Sequence, residues 1–217
     1  MAEKIKKGIF ITLEGPEGSG KSTHARRLSE ELSGMGYAVL RTAEPGGTPL
    51  GRRIRDILLD KGEIRLDAQA ELFLFEADRA QHVNETIKPA LAEGKIVICD
   101  RFNTATFAYQ GYGLGMDMDL IKRMDAAATG GLCPDLTILL DLDVATGLKR
   151  AASEHPADRM EKRKQEFHEK VRRGYLKIAR ENPAKFRVVE VKEDIDRTYS
   201  EIKGHVDALI EGYKGPE

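Results

Sequence analysis

Nine consecutive residues, Gly15-Pro16-Glu17-Gly18-Ser19-Gly20-Lys21-Ser22-Thr23, follow the spacing G-x-x-x-x-G-K-[ST], and that pattern suits the holding of phosphate. Glycines at 15, 18 and 20 let the backbone curl until successive N–H groups point inward at one anion. A helix leaving the loop adds the positive end of its dipole. Lys21 supplies a mobile cation for the terminal phosphates, and the Ser22 hydroxyl is placed to ligate Mg²⁺. Gly15 through Thr23 are therefore expected to bind a nucleoside triphosphate. Glu17 is electrostatically odd in such a cradle unless it faces away from the phosphates. The loop alone leaves kinase, GTPase and ATPase open.

A buried strand must deliver this loop, and Gly8 to Glu14 reads as one. The helix after it carries Ala25, Leu28, Leu32 and Met35 on one face and ends at Gly34 and Gly36. Tyr37 to Arg41 reads as a second strand, Glu44 to Pro49 as a loop, and Leu50 to Leu59 as a short helix. Asp67 is placed to cap a helix running through Leu72, Phe75, Ala80, Val83, Ile87 and Leu91, with a kink or end near Pro89. Lys95–Asp100, Leu136–Asp141 and Arg187–Val191 supply three more strands, apolar along their length as parallel strands are. Helices are expected at Asn103–Tyr109, Met118–Thr129, Val144–Ala152 and Glu161–Arg180, and Ile195, Tyr199, Ile202, Val206 and Leu209 stripe a last one. Ser153 to Arg159 is a polar connection containing Pro156. Five β runs alternating with helices imply a three-layer α/β fold of the P-loop NTPase type, a five-stranded parallel sheet flanked by helices. No repeat or linker divides residues 1–217, which read as a single domain.

Composition narrows the partners. Thirty-five Lys and Arg against 36 Asp and Glu leave a net charge of −1, unlike the basic footprint of a general nucleic-acid or membrane-surface binder. The apolar runs are too short to span a bilayer. The basic start, Met1 to Lys7, precedes an apolar run that stops at Glu14, which argues against a signal peptide. Cys99 and Cys133 lack metal-ligand spacing and are expected to be reduced, packed thiols of a cytoplasmic protein.

Three further segments narrow the reading. Thr42-Ala43-Glu44-Pro45-Gly46-Gly47-Thr48, Leu74-Phe75-Glu76-Ala77-Asp78-Arg79, and Asp100-Arg101-Phe102 through Ala108-Tyr109-Gln110-Gly111, in this order, resemble the thymidylate kinases, from Ile9 to about Ile210. By helical periodicity alone Phe75 belongs to the core. The resemblance instead stacks it on thymine, with Arg79 one turn on donating to the base. It implies that Arg101 and Arg55 grip the dTMP phosphate and that Asp100 joins Ser22 at Mg²⁺. Thr106 and Gln110 would then read the pyrimidine edge, Tyr109 would obstruct a ribose hydroxyl, and Glu17 would accept from the sugar 3′-hydroxyl. The chain departs from the family in having Ala105 where Ser is usual.

One branch of the family carries an arginine at the position of Gly18, and its absence here resembles the branch whose lid supplies the catalytic arginine. The lid, about residues 150–160, contains no arginine between Ser153 and Asp158, so the role falls to Arg150 and Arg159, with Arg163 a weaker substitute. Lys21, Arg101, Arg150 and Arg159 are thus the expected catalytic cations. The implied reaction is transfer of the γ-phosphoryl of ATP to dTMP, with Mg²⁺, giving dTDP and ADP on the way to dTTP, in a homodimer. A deoxynucleoside kinase and a GTP-dependent switch are the rivals. The switch lacks its Asn-Lys-x-Asp guanine reader.

Overall fold

Strands buried on both faces need crossovers, and the helical segments supply them. The computed structural model describes residues 7–60, 65–154 and 156–214; the first six residues and His155 of the expected lid lie outside them. The order is β1 (Ile9–Glu14), α1 (Lys21–Gly34), β2 (Val39–Ala43), α2 (Pro49–Leu58), α3 (Ala68–His82), α4 (Lys88–Ala92), β3 (Ile96–Asp100), α5 (Asn103–Thr106), α6 (Met118–Thr129), β4 (Leu136–Asp141), α7 (Val144–Glu154), α8 (Gln165–Glu181), β5 (Phe186–Glu190) and α9 (Ile195–Lys214). The strands form one parallel sheet ordered β2-β3-β1-β4-β5. β1 is therefore central, and the loop that leaves it opens at the carboxyl edge of the sheet, where such sheets bind ligands.

Alternation along β1 divides its side chains between two layers. Ile9, Ile11 and Leu13 pack with Leu28 and Leu32 of α1 and Ile202 and Val206 of α9. Phe10 faces the other way, toward Val83, Ile87 and Phe102. Beside it, Leu139 of β4 packs with Tyr109, Val171 and Tyr175. Each such fully buried aliphatic side chain contributes roughly 1.5–3 kcal/mol, so the edge holding the site is the rim of a rigid layer.

Several boundaries differ from the sequence reading. β2 begins at Val39 because the Tyr37 N–H closes α1 onto the Leu32 carbonyl, across Gly36 at φ 95°. The helical run carries on past Pro89 and ends at Ala92, close to where an end was expected. A π-helical turn at Val83–Ile87 precedes it, with the Lys88 N–H bonded to the Val83 carbonyl, so the wider turn absorbs the missing proline donor. A second π-helical turn, Phe107–Gly113, extends α5. α7 runs on to Glu154, whereas α8 starts at Gln165, because the Asp158 carboxylate captures the N–H groups of Met160 and Glu161 in a turn. Asp67 caps α3 as expected, accepting from the Gln69 N–H. Ile195, expected on the buried stripe of α9, is exposed, and of the two cysteines Cys99 is buried while Cys133 is exposed, correcting the expectation that both are packed.

Candidate active site

The loop between β1 and α1 works through its backbone. Gly15 and Gly18 hold φ of 144° and 66°, and a Cβ at either would lie 2.4 Å from the Leu140 carbonyl oxygen or 2.1 Å from that of Gly147. The loop is thereby pressed against β4 and α7 with no room for a side chain. Ser19 Oγ and Lys21 Nζ both donate to the Pro16 carbonyl, at 2.8 and 2.7 Å. Burial, and then the neighbouring Arg101 guanidinium, lower the Lys21 pKa to about 8. Its ammonium is a cation stripped of water, which a phosphate would satisfy.

Three strand ends meet beside this cradle. The Arg101 N–H bonds to the Leu13 carbonyl and the Glu44 N–H to that of Asp100, carrying the pairing past the sheet edge. Arg101 itself sits at φ 66°, a conformation that costs a side-chain-bearing residue about 1–3 kcal/mol. The Glu14 carboxylate, fully buried, braces it by accepting from the Phe102 N–H at 2.8 Å and from the Tyr175 hydroxyl at 3.0 Å. Burial raises the Glu14 pKa to about 7, against the opposing pull of Arg101.

Asp100 accepts a hydrogen bond from the Ser22 hydroxyl, so the two residues expected at Mg²⁺ are neighbours. Among the described residues no three acidic, His or Cys side chains cluster as a metal cage. Two hard oxygens on the rim of a phosphate cradle fit Mg²⁺, which keeps waters and takes its other ligands from phosphate.

Glu17 does face away from the cradle floor. Its carboxylate accepts from Arg101 Nη2 at 2.7 Å and from the Tyr109 hydroxyl at 2.8 Å. Burial alone would raise its pKa, but Arg101, then Lys21 and the Tyr109 bond hold it at about 2. Burial keeps Tyr109 protonated as the donor.

A cleft of about 120 Å³ opens here, lined by Phe75, Arg79, Phe102, Thr106, Tyr109 and Gln110, an aromatic face beside convergent polar groups. Phe75 is half-buried and belongs to this wall, not to the core. Arg79 is 2% exposed and is held by Glu44 (3.0 Å), Glu76 (2.7 Å), the Phe102 carbonyl and Thr106 Oγ1. Burial works against its charge, but Glu44 and Glu76 outweigh it and raise the pKa. Glu17, Glu44, Arg55 and Arg101 line both this cleft and the larger open one over Gly18–Thr23. The two cavities therefore adjoin, with the Arg101–Glu17 pair in the wall they share. Arg55 reaches the junction from α2, its Nη1 donating to the Pro45 carbonyl.

The lid cations are placed less directly. Arg150 lines neither cavity. Arg159 donates to the Leu58 carbonyl and to Glu71, and Arg163 also donates to Glu71. The sequence reading missed Glu14, Tyr175 and Glu71. An acid ending the apolar run of β1 was a usable signal for Glu14, whereas Glu71 looks like any acid in the first turn of a helix.

The thymidylate kinase family model matches residues 13–202. A thymidylate kinase of Solidesulfovibrio magneticus is 47% identical over 209 residues, spanning 93% of this chain and 100% of the relative. One of Deinococcus radiodurans is 46% identical over 198 residues, spanning 91% and 96%. The crystal structure of thymidylate kinase from Ehrlichia chaffeensis aligns with a TM-score of 0.77 at 35% identity, covering 92% of this chain and 99% of that one.

Proposed function

The chain belongs to the thymidylate kinase family, and from that premise we propose how its residues move the γ-phosphoryl of ATP onto dTMP to give dTDP and ADP. One observation carries the assignment: a cleft with an aromatic wall adjoins the phosphate cradle, the two sharing Glu17, Glu44, Arg55 and Arg101. Donor and acceptor phosphates would therefore meet at Arg101.

Gly15–Thr23 hold the ATP phosphates, with Lys21 at the terminal ones. Arg101 and Arg55 hold the dTMP phosphate, Phe75 stacks on thymine, and Arg79, Thr106 and Gln110 face its polar edge. Glu17 accepts from the sugar 3′-hydroxyl while Tyr109 closes the space at the 2′ carbon. The acceptor phosphate is already anionic, so no residue need remove a proton; a phosphate oxygen of dTMP bonds to the γ-phosphorus as the bond to the β–γ bridging oxygen breaks. Ser22 and Asp100 would hold Mg²⁺, which when bound offsets charge on the transferring group. Roughly four negative charges then remain on the two nucleotides, met by Lys21, Arg55, Arg101 and a lid arginine. Of the two, Arg159 is the nearer, because its turn borders the cleft through Asp158 and Met160, although its guanidinium is held here by Glu71 and the Leu58 carbonyl and must leave them to reach a phosphate. Closing the lid excludes water.

Residues 1–217 act as one kinase domain in the cytoplasm, as a homodimer. Leu50 and Ile57 of α2 and Phe73 of α3 are exposed apolar side chains available to a second copy, and no helix among the described residues is long and apolar enough to cross a membrane. Incubating ATP and Mg²⁺ with a panel of acceptors tests the site. dTMP should react fastest, with dUMP slower by roughly 10–200-fold, the reach of one methyl pocket. AMP, GMP and unphosphorylated thymidine should be inert. Faster turnover of a purine monophosphate or of thymidine would overturn the assignment.

A further inference from the structure

We propose that Glu71 is a positioning residue that latches the lid and, through the same carboxylate, sets how Gln110 faces the base. The proposal rests on the reading of the cleft as the dTMP site. Glu71 is fully buried in the first turn of α3 and lines neither cavity, so it acts only through its partners. Its Oε1 accepts from Gln110 Nε2 at 2.8 Å. Its Oε2 accepts from Arg159 Nη1 at 2.5 Å and from Arg163 Nη2 at 2.7 Å. One carboxylate thus joins the base-reading helix to the turn that follows the lid.

Two consequences follow from elementary chemistry. A buried carboxylate is tolerated only while it is paired. Lifting this turn would withdraw both arginines and leave Gln110 as its remaining partner here, so the ion pairs favour the lid held down against α3. Arg159 reinforces this by donating Nε and Nη2 to the Leu58 carbonyl at the end of α2. Second, a carboxylate only accepts, so the amide NH₂ of Gln110 must face Glu71. The Gln110 carbonyl oxygen is then the group left for the cleft. Thymine offers N3–H, a donor, whereas cytosine offers a bare N3. Glu71 thereby favours a thymine-like edge without touching it.

The test compares Glu71→Gln with Arg163→Gln, each checked for an unchanged melting transition. Glu71→Gln should lower kcat/KM for dTMP roughly tenfold to a hundredfold, the loss of bonds to a charged group. It should also narrow the dTMP-over-dCMP preference by about tenfold, since a neutral amide at 71 lets Gln110 turn over, and raise ADP release when no acceptor is added. Arg163→Gln should raise acceptor-free ADP release and leave the base preference intact. Unchanged base preference in Glu71→Gln, or unchanged acceptor-free release in Arg163→Gln, overturns the proposal even where the other variant folds poorly. Trypsin cleavage at Lys162–Lys164, faster in Glu71→Gln than in the wild type, reads the latch independently of dTMP. A wild-type protein inert toward dTMP would defeat the assignment of the cleft, and the cleavage rates would still judge the latch.

Discussion

The phosphate cradle and the acceptor wall hold negative charge by opposite means. The cradle uses backbone N–H groups, glycines at positive φ and one poorly solvated lysine, all within nine consecutive residues. The wall uses side chains held by other side chains: Arg79 between Glu44 and Glu76, Arg101 on Glu17, and Gln110 on Glu71. A cradle cation is therefore free to be satisfied by ligand, and its removal costs the fold little. Arg79, the most buried wall cation, is already spent on protein carboxylates, and its removal leaves them buried and unpaired.

The sharpest way to break that contrast is a pair of variants. Lys21→Met should abolish most turnover, by about 10²–10³-fold as for other preorganised transition-state donors, while leaving the melting temperature level or slightly raised. Arg79→Met should destabilise the fold by about 3–5 kcal/mol, the cost of stranding buried carboxylates. A calorimetric scan of both beside an ADP-release assay decides it, and equal melting shifts would erase the distinction. Smaller in effect is Gly18→Ala, whose Cβ would collide with the Gly147 carbonyl. It should weaken ATP binding by about tenfold or more, given a backbone at φ 66° that resists a side chain, and leave dTMP binding near wild type in titration calorimetry.

The smallest effect is a pH slope. The Glu14 pKa is raised from 4.5 to about 7, so between those values the folded state holds a proton that the unfolded state has released. Stability from this group therefore falls as pH rises from 4.5 to 7. Glu17, lowered from 4.5 to about 2, contributes stability above pH 4.5 that is lost as pH falls toward 2. Glu14→Gln should consequently flatten the decline in melting temperature between pH 5 and 7.5 by a few degrees, on the order of one group's linkage, and leave the acid limb unchanged. A wild-type melting temperature that is flat across that window would remove Glu14 as a buried acid.

How far the site could be read beforehand follows the same division. The cradle, the Asp100–Arg101 pair and the aromatic–arginine helix were visible as short contiguous motifs. Phe75 was ambiguous because a helical period places it on the core face, and only the tertiary structure puts it on the wall of a cleft with Arg79 and Thr106. Pro89 marked the neighbourhood of a helix end, which falls at Ala92, but not the π-helical turn at Val83–Ile87 before it. The carboxylate–arginine ties of Glu71 span 88 and 92 residues, and no local pattern marks them.

By itself the chain determined its strands, its alternation of strand and helix, its phosphate loop and the families of residue that would meet a nucleotide. Those properties are written in neighbouring residues, through φ freedom, apolar runs and capping side chains. Folding decided which charges face ligand and which face one another, that β1 lies at the centre of the sheet, and that Glu14 and Glu17, three residues apart in sequence, titrate in opposite directions. Burial and Coulomb interaction depend on distances that exist only once α3, α5, α7 and α8 have packed around the sheet's edge.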